Sequence, residues 1–143
     1  MGHRYSATFF HCVFSTKQRT PEIREPEKLW AYLHGIAKNL KIETLAIGGT
    51  KDHVHLLMVP PATMPVAEAV QKLKANSSRW IRESSPWSGW QEGYGVFTVS
   101  PTAIDPVKRY IRNQPSHHQK RDSREEFVAM LRQAGITVDD EVE

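Results

Sequence analysis

The chain has 143 residues, 39% of them apolar, which suffices for one domain with a single core. No apolar run approaches the roughly 18 residues that cross a bilayer, and a single cysteine, Cys12, excludes an internal disulfide. The formal charge of +3 hides an asymmetry: residues 1–121 hold 17 Lys and Arg against 9 Asp and Glu, a polyanion-attracting excess, whereas residues 122–143 hold 2 against 7.

Residues 4–14 alternate with apolar side chains on both faces and predict a buried central strand, with Cys12 as a small hydrophobe inside it. Pro26 opens a helix carrying Leu29, Leu33, Ile36, Ala37 and Leu40 on one stripe. Residues 42–47 predict a second strand, Gly48-Gly49 a turn, and residues 53–59 a third strand, stopped by Pro60-Pro61. Pro65 opens a second helix with Val66, Ala69, Val70, Leu73, Ser77, Trp80 and Ile81 inward and Lys72, Lys74, Arg79 and Arg82 on its other faces. A turn-rich loop over 84–93 holds Trp87 and Trp90, and residues 94–99 predict a fourth strand. A third helix starts near Asp105-Pro106 and carries Tyr110; Pro115 should end or kink it at Gln114. Ser123-Arg124-Glu125-Glu126 reads as a capping box, opening a last helix with Phe127, Met130, Leu131 and Ala134 on one face and Gly135 at its close. The order β-α-β-β-α-β followed by helices predicts an α+β, ferredoxin-like (RRM-like) palm with both crossover helices on one face of an antiparallel sheet. The helix of Tyr110 is the candidate to cover the other face. Residues 1–138 are expected to form one domain and 139–143 a frayed acidic tail. The start of the chain lacks the apolar core of a signal peptide, so a cytoplasmic location is expected.

Asp52-His53-Val54-His55 carries the chemistry. Two imidazoles alternate on an otherwise apolar strand and so share a face, an expensive arrangement unless they have partners, and a metal ion is one such partner. Asp52 can orient one of the rings. Most His-x-His triplets bind nothing, but the two enzyme classes built on similar triplets fit poorly. A histidine-triad hydrolase needs a third alternating histidine where Leu57 stands, and a cupin site needs a glutamate that residues 58–61 do not supply. Tyr110 and Gln114 lie four apart on a helix and share its face, so a phenol and a neutral amide oxygen stand together. Taken alone, such a tyrosine is more often a core residue with its hydroxyl at the surface. Lys108, Arg109 and Arg112 flank it, a concentration of donors suited to a DNA strand. His117 and His118 follow, better placed for phosphate contact than as further metal ligands. Trp87 and Trp90 can stack on unpaired bases or simply pack.

Together with His11-Cys12-Val13-Phe14-Ser15-Thr16-Lys17, Asp52-His53-Val54-His55-Leu56-Leu57 and Tyr110-Ile111-Arg112-Asn113-Gln114 resemble the single-tyrosine HUH transposases of small insertion sequences and their REP-associated tyrosine relatives. The resemblance runs from about residue 5 to about residue 134. It implies metal-dependent cleavage and rejoining of single-stranded DNA at hairpins through a 5′-phosphotyrosine, by a homodimer whose active sites are shared between subunits. By position it makes Tyr110 the nucleophile and His53, His55 and Gln114 the ligands of Mg2+ or Mn2+, with Asp52 behind them. Expected DNA contacts are Lys17, Lys72, Lys74 and Arg79, together with Lys108, Arg109, Arg112, Asn113, His117 and His118. The competing readings are a domesticated endonuclease acting on host repeat hairpins and an RRM-like binding module without chemistry. An RRM would show base-stacking aromatics in a Gly-Phe-rich strand, which this sequence lacks.

Overall fold

The computed structural model describes Ser6, residues 8–117 and residues 121–138. Four strands, β1 (Phe9–Ser15), β2 (Glu43–Gly49), β3 (His53–Val59) and β4 (Gly95–Val99), form one antiparallel sheet in the order β2-β3-β1-β4. Helices α1 (Pro26–Asn39) and α2 (Val66–Ser84) are the two crossovers. After β4 come α3 (Ile104–Arg112), one short turn of helix α4 (Gln114–His117), and α5 (Ser123–Gln133). This is the ferredoxin-like α+β palm that the element order predicts.

Strand periodicity divides the interior in two. Cys12 and Phe14 of β1, with Val54, Leu56 and Met58 of β3, face α1 and α2, where they meet Leu29, Leu33, Ala37, Val70 and Leu73. The opposite parity points to the other face, where Leu57 and Ala46 pack under Ile111 of α3 with Val107 and Tyr110 at the margin. His53 and His55 share the parity of Leu57, and His11 that of Phe9, so all three imidazoles stand on the face that α3 covers.

Among the described residues β1 runs Phe9–Ser15, with Phe9 opposite Val99; residues 4, 5 and 7 of the expected strand lie outside the described residues. Gly48 and Gly49 are not a turn: they extend β2, opposite His55 and Val54. A Cβ on Gly48 would lie 2.2 Å from the Ile111 carbonyl oxygen, so the missing side chain is what lets the backbone of α3 settle on the sheet. Gly48→Ala is therefore expected to destabilise the fold by about 1–3 kcal/mol, the usual cost of overpacking. Urea denaturation would show it, and an unchanged midpoint would mean that α3 is not seated there.

The tryptophans of the 84–93 loop pack. Trp90 is buried, donates its indole N–H to Ser77 Oγ at 2.9 Å, and meets Phe14 edge to face at 4.8 Å. Trp87 lies edge-on against Trp90. Stacking on unpaired bases is thus not open to the buried Trp90. The capping box is also displaced by one residue. Asp122 is the N-cap of α5, its carboxylate accepting from Glu125 N at 2.8 Å, which frees Ser123 and Glu126 for other work. Ala134, expected inward, is exposed, and Gly135 closes α5 at φ 78°. The acidic 139–143 segment lies outside the described residues.

Candidate active site

β3 delivers His53 and His55 to one face two residues apart, and β1 places His11 beside His55. The break at Asn113 turns the chain so that Gln114 is buried under α3 rather than carried outward, as Pro115 requires. Nε2 of His53, Nε2 of His55 and a carboxylate oxygen of Glu126 all lie within 4.8 Å of one another. Gln114 Oε1 is 2.9 Å from His53 Nε2, and Gln114 Nε2 donates to the Tyr110 carbonyl at 3.4 Å and to Glu126 at 3.2 Å. The Tyr110 ring stands edge-on to His55, centroids 5.7 Å apart, and its hydroxyl hydrogen-bonds Glu126. His53, His55, Tyr110 and Gln114 are thus gathered at one point.

The ring of His53 is held from both sides. Its Nδ1 lies 2.7 Å from Asp52 Oδ1, and Asp52 is fixed in turn by Thr50 Oγ1 at 3.1 Å and Ser123 Oγ at 3.2 Å. The His53 Nδ1 also lies 3.0 Å from the Thr50 hydroxyl, and its Nε2 faces the Gln114 oxygen. His55 is held from both sides too: Nε2 lies 2.9 Å from Glu126 Oε1, which leaves Nδ1 to accept from His11 Nε2 at 2.8 Å. Both Nε2 atoms and the oxygens of Gln114 and Glu126 converge on one point, two imidazole nitrogens and two oxygens facing one another. The donor set therefore fits a divalent ion, with Asp52 and His11 orienting the ligand imidazoles from behind.

Charge and burial set the protonation states. Burial alone would raise the Glu126 carboxyl, but hydrogen bonding and charge from His55, then Tyr110 and His53, hold it well below the usual carboxylate range. Burial opposes the ionised form of Asp52 too, and His53, Thr50 and Ser123 outweigh it and lower its pKa. His11 is lowered to about 3, first by burial and then by the charge of His55, so it stays neutral. Tyr110 is raised above its ordinary value, first by burial and then by the Glu126 carboxylate, with Gln114 and Arg121 opposing. A basic helix beside the phenol does not suffice to ionise it here.

Two participants escape the sequence reading. His11 lies in the quoted 11–17 pattern, and its signal was an imidazole inside an apolar strand. Glu126 was concealed by its plausible role as a capping-box carboxylate. It adds a carboxylate to the expected His53, His55 and Gln114, and such a group would cancel part of a bound ion's charge.

The expected DNA-contact residues fall on two faces. Lys17, Lys72 and Arg79 are exposed and Lys74 half-buried, on and beside α2; Arg109, Arg112 and Asn113 are exposed, and Lys108 partly so, along α3. Lys72 lies near Glu68 at 3.9 Å, Arg79 donates to Asn76, and Lys74 donates to the carbonyls of Gln91 and Gly93. His117 ends α4; its side chain, and His118 altogether, lie outside the described residues. Among the described residues, no helix is long and apolar enough to cross a membrane.

The sequence matches the IS200-like transposase family over residues 4–114, a span that takes in both histidines of β3, Tyr110 and Gln114 but stops short of Glu126. No curated protein sequence matches it significantly. Among solved structures, a Deinococcus radiodurans R1 protein described as a transposase is 28% identical, with a TM-score of 0.61 over 80% of this chain and 96% of that one. A REP-associated tyrosine transposase bound to a REP hairpin is 13% identical, with a TM-score of 0.63 over 82% of this chain and 73% of that one, and shows likeness of fold.

Proposed function

The chain belongs to the IS200-like transposase family, and from that premise we propose that it cleaves and rejoins single-stranded DNA through a 5′-phosphotyrosine on Tyr110. The observation that carries this reading is the convergence of the Tyr110 hydroxyl with His53, His55, Gln114 and Glu126 on one sheet face. The phenol oxygen attacks the phosphorus, the bond to the 3′ oxygen breaks, and the freed strand leaves with a 3′ hydroxyl. The hydrogen bond to the Glu126 carboxylate holds the phenol oxygen in place; with Glu126 held well below the usual carboxylate range, the proton released on attack passes to solvent rather than staying on that carboxylate. A 3′ hydroxyl from a second strand reverses the step and joins new ends without ATP, because the bond energy is kept in the tyrosyl ester.

His53, His55 and Glu126 would hold Mg2+ or Mn2+, with Gln114 as a further oxygen ligand. When bound, such an ion supplies Lewis-acid stabilisation of the charge that builds on the non-bridging phosphate oxygens. Lys108, Arg109 and Arg112 then lie along the helix of the nucleophile, suited to the phosphates of the strand being cut.

The substrate class proposed is a DNA hairpin with unpaired flanks, in keeping with the hairpin held by the REP-associated relative of like fold. The test is incubation of the protein with labelled single-stranded ends of its own gene locus and a divalent ion, followed by a denaturing gel. A metal-dependent covalent protein–DNA band supports the reading. Tight binding with no adduct on any strand would leave only a binding module.

The proposed unit is a homodimer with shared sites. In the chain described here α3 docks on its own sheet and completes the site in cis. The same apolar seat can take the α3 of a two-fold partner, which would make cutting wait until two DNA ends are together. Mixing Tyr110→Phe with a His53→Ala/His55→Ala double variant separates the arrangements. Heterodimers regain one complete site only if the tyrosine acts in trans, so cleavage is expected to recover. No recovery from heterodimers confirmed by mass spectrometry would assign the cis geometry to the reaction.

A further inference from the structure

On the opposite side of the sheet, the outward face of α2 and the 88–94 loop enclose a groove of about 480 Å³, within the size range of small-ligand sites. Its walls hold three cations, Lys17, Lys74 and Arg82, and no carboxylate; Glu92, whose charge Lys74 feels, is not part of the lining. Lys74 is anchored by the carbonyls of Gln91 and Gly93, but the side chains of Lys17 and Arg82 make no hydrogen bond or ion pair among the described residues. A larger cavity beside α1, about 830 Å³, is electrostatically mixed: Glu25 and Glu27 share it with Lys28, Lys51 and Arg112, and Lys28 is paired to Glu25 at 3.2 Å. Charge therefore selects the α2 groove as the anion site.

An aromatic completes it. Tyr94 is 42% exposed and lines the groove, although the sequence places it at the head of a strand. β4 begins only at Gly95, which leaves Tyr94 on the loop, outside both apolar clusters and without a ring contact among the described residues. Cations beside an exposed, unpartnered aromatic ring meet the two needs of a nucleotide, phosphate neutralisation and a stacking surface. The groove is also joined to the histidine centre. Lys17 follows Thr16, whose amide N–H donates to the Asp52 carbonyl at 2.9 Å, at the end of the sheet where β3 begins.

We infer that this groove binds an unpaired nucleotide flanking the cleaved bond, its base stacked on Tyr94 and its phosphate held by Lys17 and Arg82. The inference rests on the proposed single-stranded DNA substrate and adds the place where the strand is read as it rounds the end of the sheet. The probe is a fluorescent oligothymidylate of about ten nucleotides, within the site sizes of single-strand binders, set against an abasic phosphodiester of equal length. Anisotropy titrations on the full chain read binding without any cutting.

Tyr94→Ala is expected to weaken the thymidylate about tenfold, the usual loss of one stacked base, and to leave the abasic strand unchanged. Tyr94→Phe should restore the difference, since it keeps the ring. Lys17→Ala/Arg82→Ala should weaken both strands and flatten the salt dependence. Equal losses on both strands for Tyr94→Ala, or none on either, would overturn the assignment. Failure of the proposed chemistry appears instead as a missing covalent adduct in the wild type, a readout the titration does not use.

Discussion

Tyr110→Phe is expected to abolish the covalent protein–DNA adduct while leaving DNA affinity within about twofold, since the phenyl ring keeps the apolar contacts and loses only the hydroxyl. The geometry makes this a sharp test. The ring sits between His11 and His55, with centroids at 6.1 and 5.7 Å, and it borders the cluster around Leu57 and Ile111, so its packing survives the change. What disappears is the hydroxyl's hydrogen bonding to Glu126 and Gln114. A hydrogen bond to a charged group is worth about 1.5–3 kcal/mol, so stability is expected to fall by no more than that order. A denaturing gel on the variant decides the matter: an adduct at wild-type yield would assign the chemistry to another residue.

The second large effect belongs to the proposed metal ligands. His53→Ala and His55→Ala should each lower divalent-ion affinity and cleavage by more than the roughly 10–100-fold that outer-shell changes cost. Chelator should silence the wild type in the same way. Glu126→Gln distinguishes the carboxylate from the rest of the set, because glutamine keeps the shape and removes the charge. It is expected to weaken binding of Mn2+, read by calorimetry or by thermal stabilisation on adding the ion. A Glu126→Gln protein that bound Mn2+ as well as the wild type would remove Glu126 from the ligand set, and full cleavage in the presence of EDTA would remove the metal.

Periodicity made most of the fold legible. The parity of β1 and β3 separates residues facing α1 and α2 from residues facing α3, and that alone places His53 and His55 together. Pro115 announced the break that buries Gln114. The end of β2 was less legible because it depends on what lies across the sheet, as at Gly48. Glu126 was the hardest to find. Its local pattern satisfied a helix-capping rule, and only the tertiary position of α5 shows that Asp122 does the capping while Glu126 reaches His55. The tryptophans teach the converse, since a loop rich in aromatics was occupied by its own core through Ser77 and Phe14.

The double duty of α3 has a practical consequence for anyone who wants this palm without the cutting activity proposed for it. The helix that carries Tyr110, the proposed nucleophile, is also the roof over Ala46 and Leu57. Shortening the gene upstream of it would remove Tyr110 but bare an apolar sheet face with buried imidazoles on it, an adhesive surface that favours clumping. Disarming and folding cannot be separated by deletion in this chain. They separate at one oxygen atom, the Tyr110 hydroxyl, and a full-length point variant is the form in which the palm can be kept folded without it.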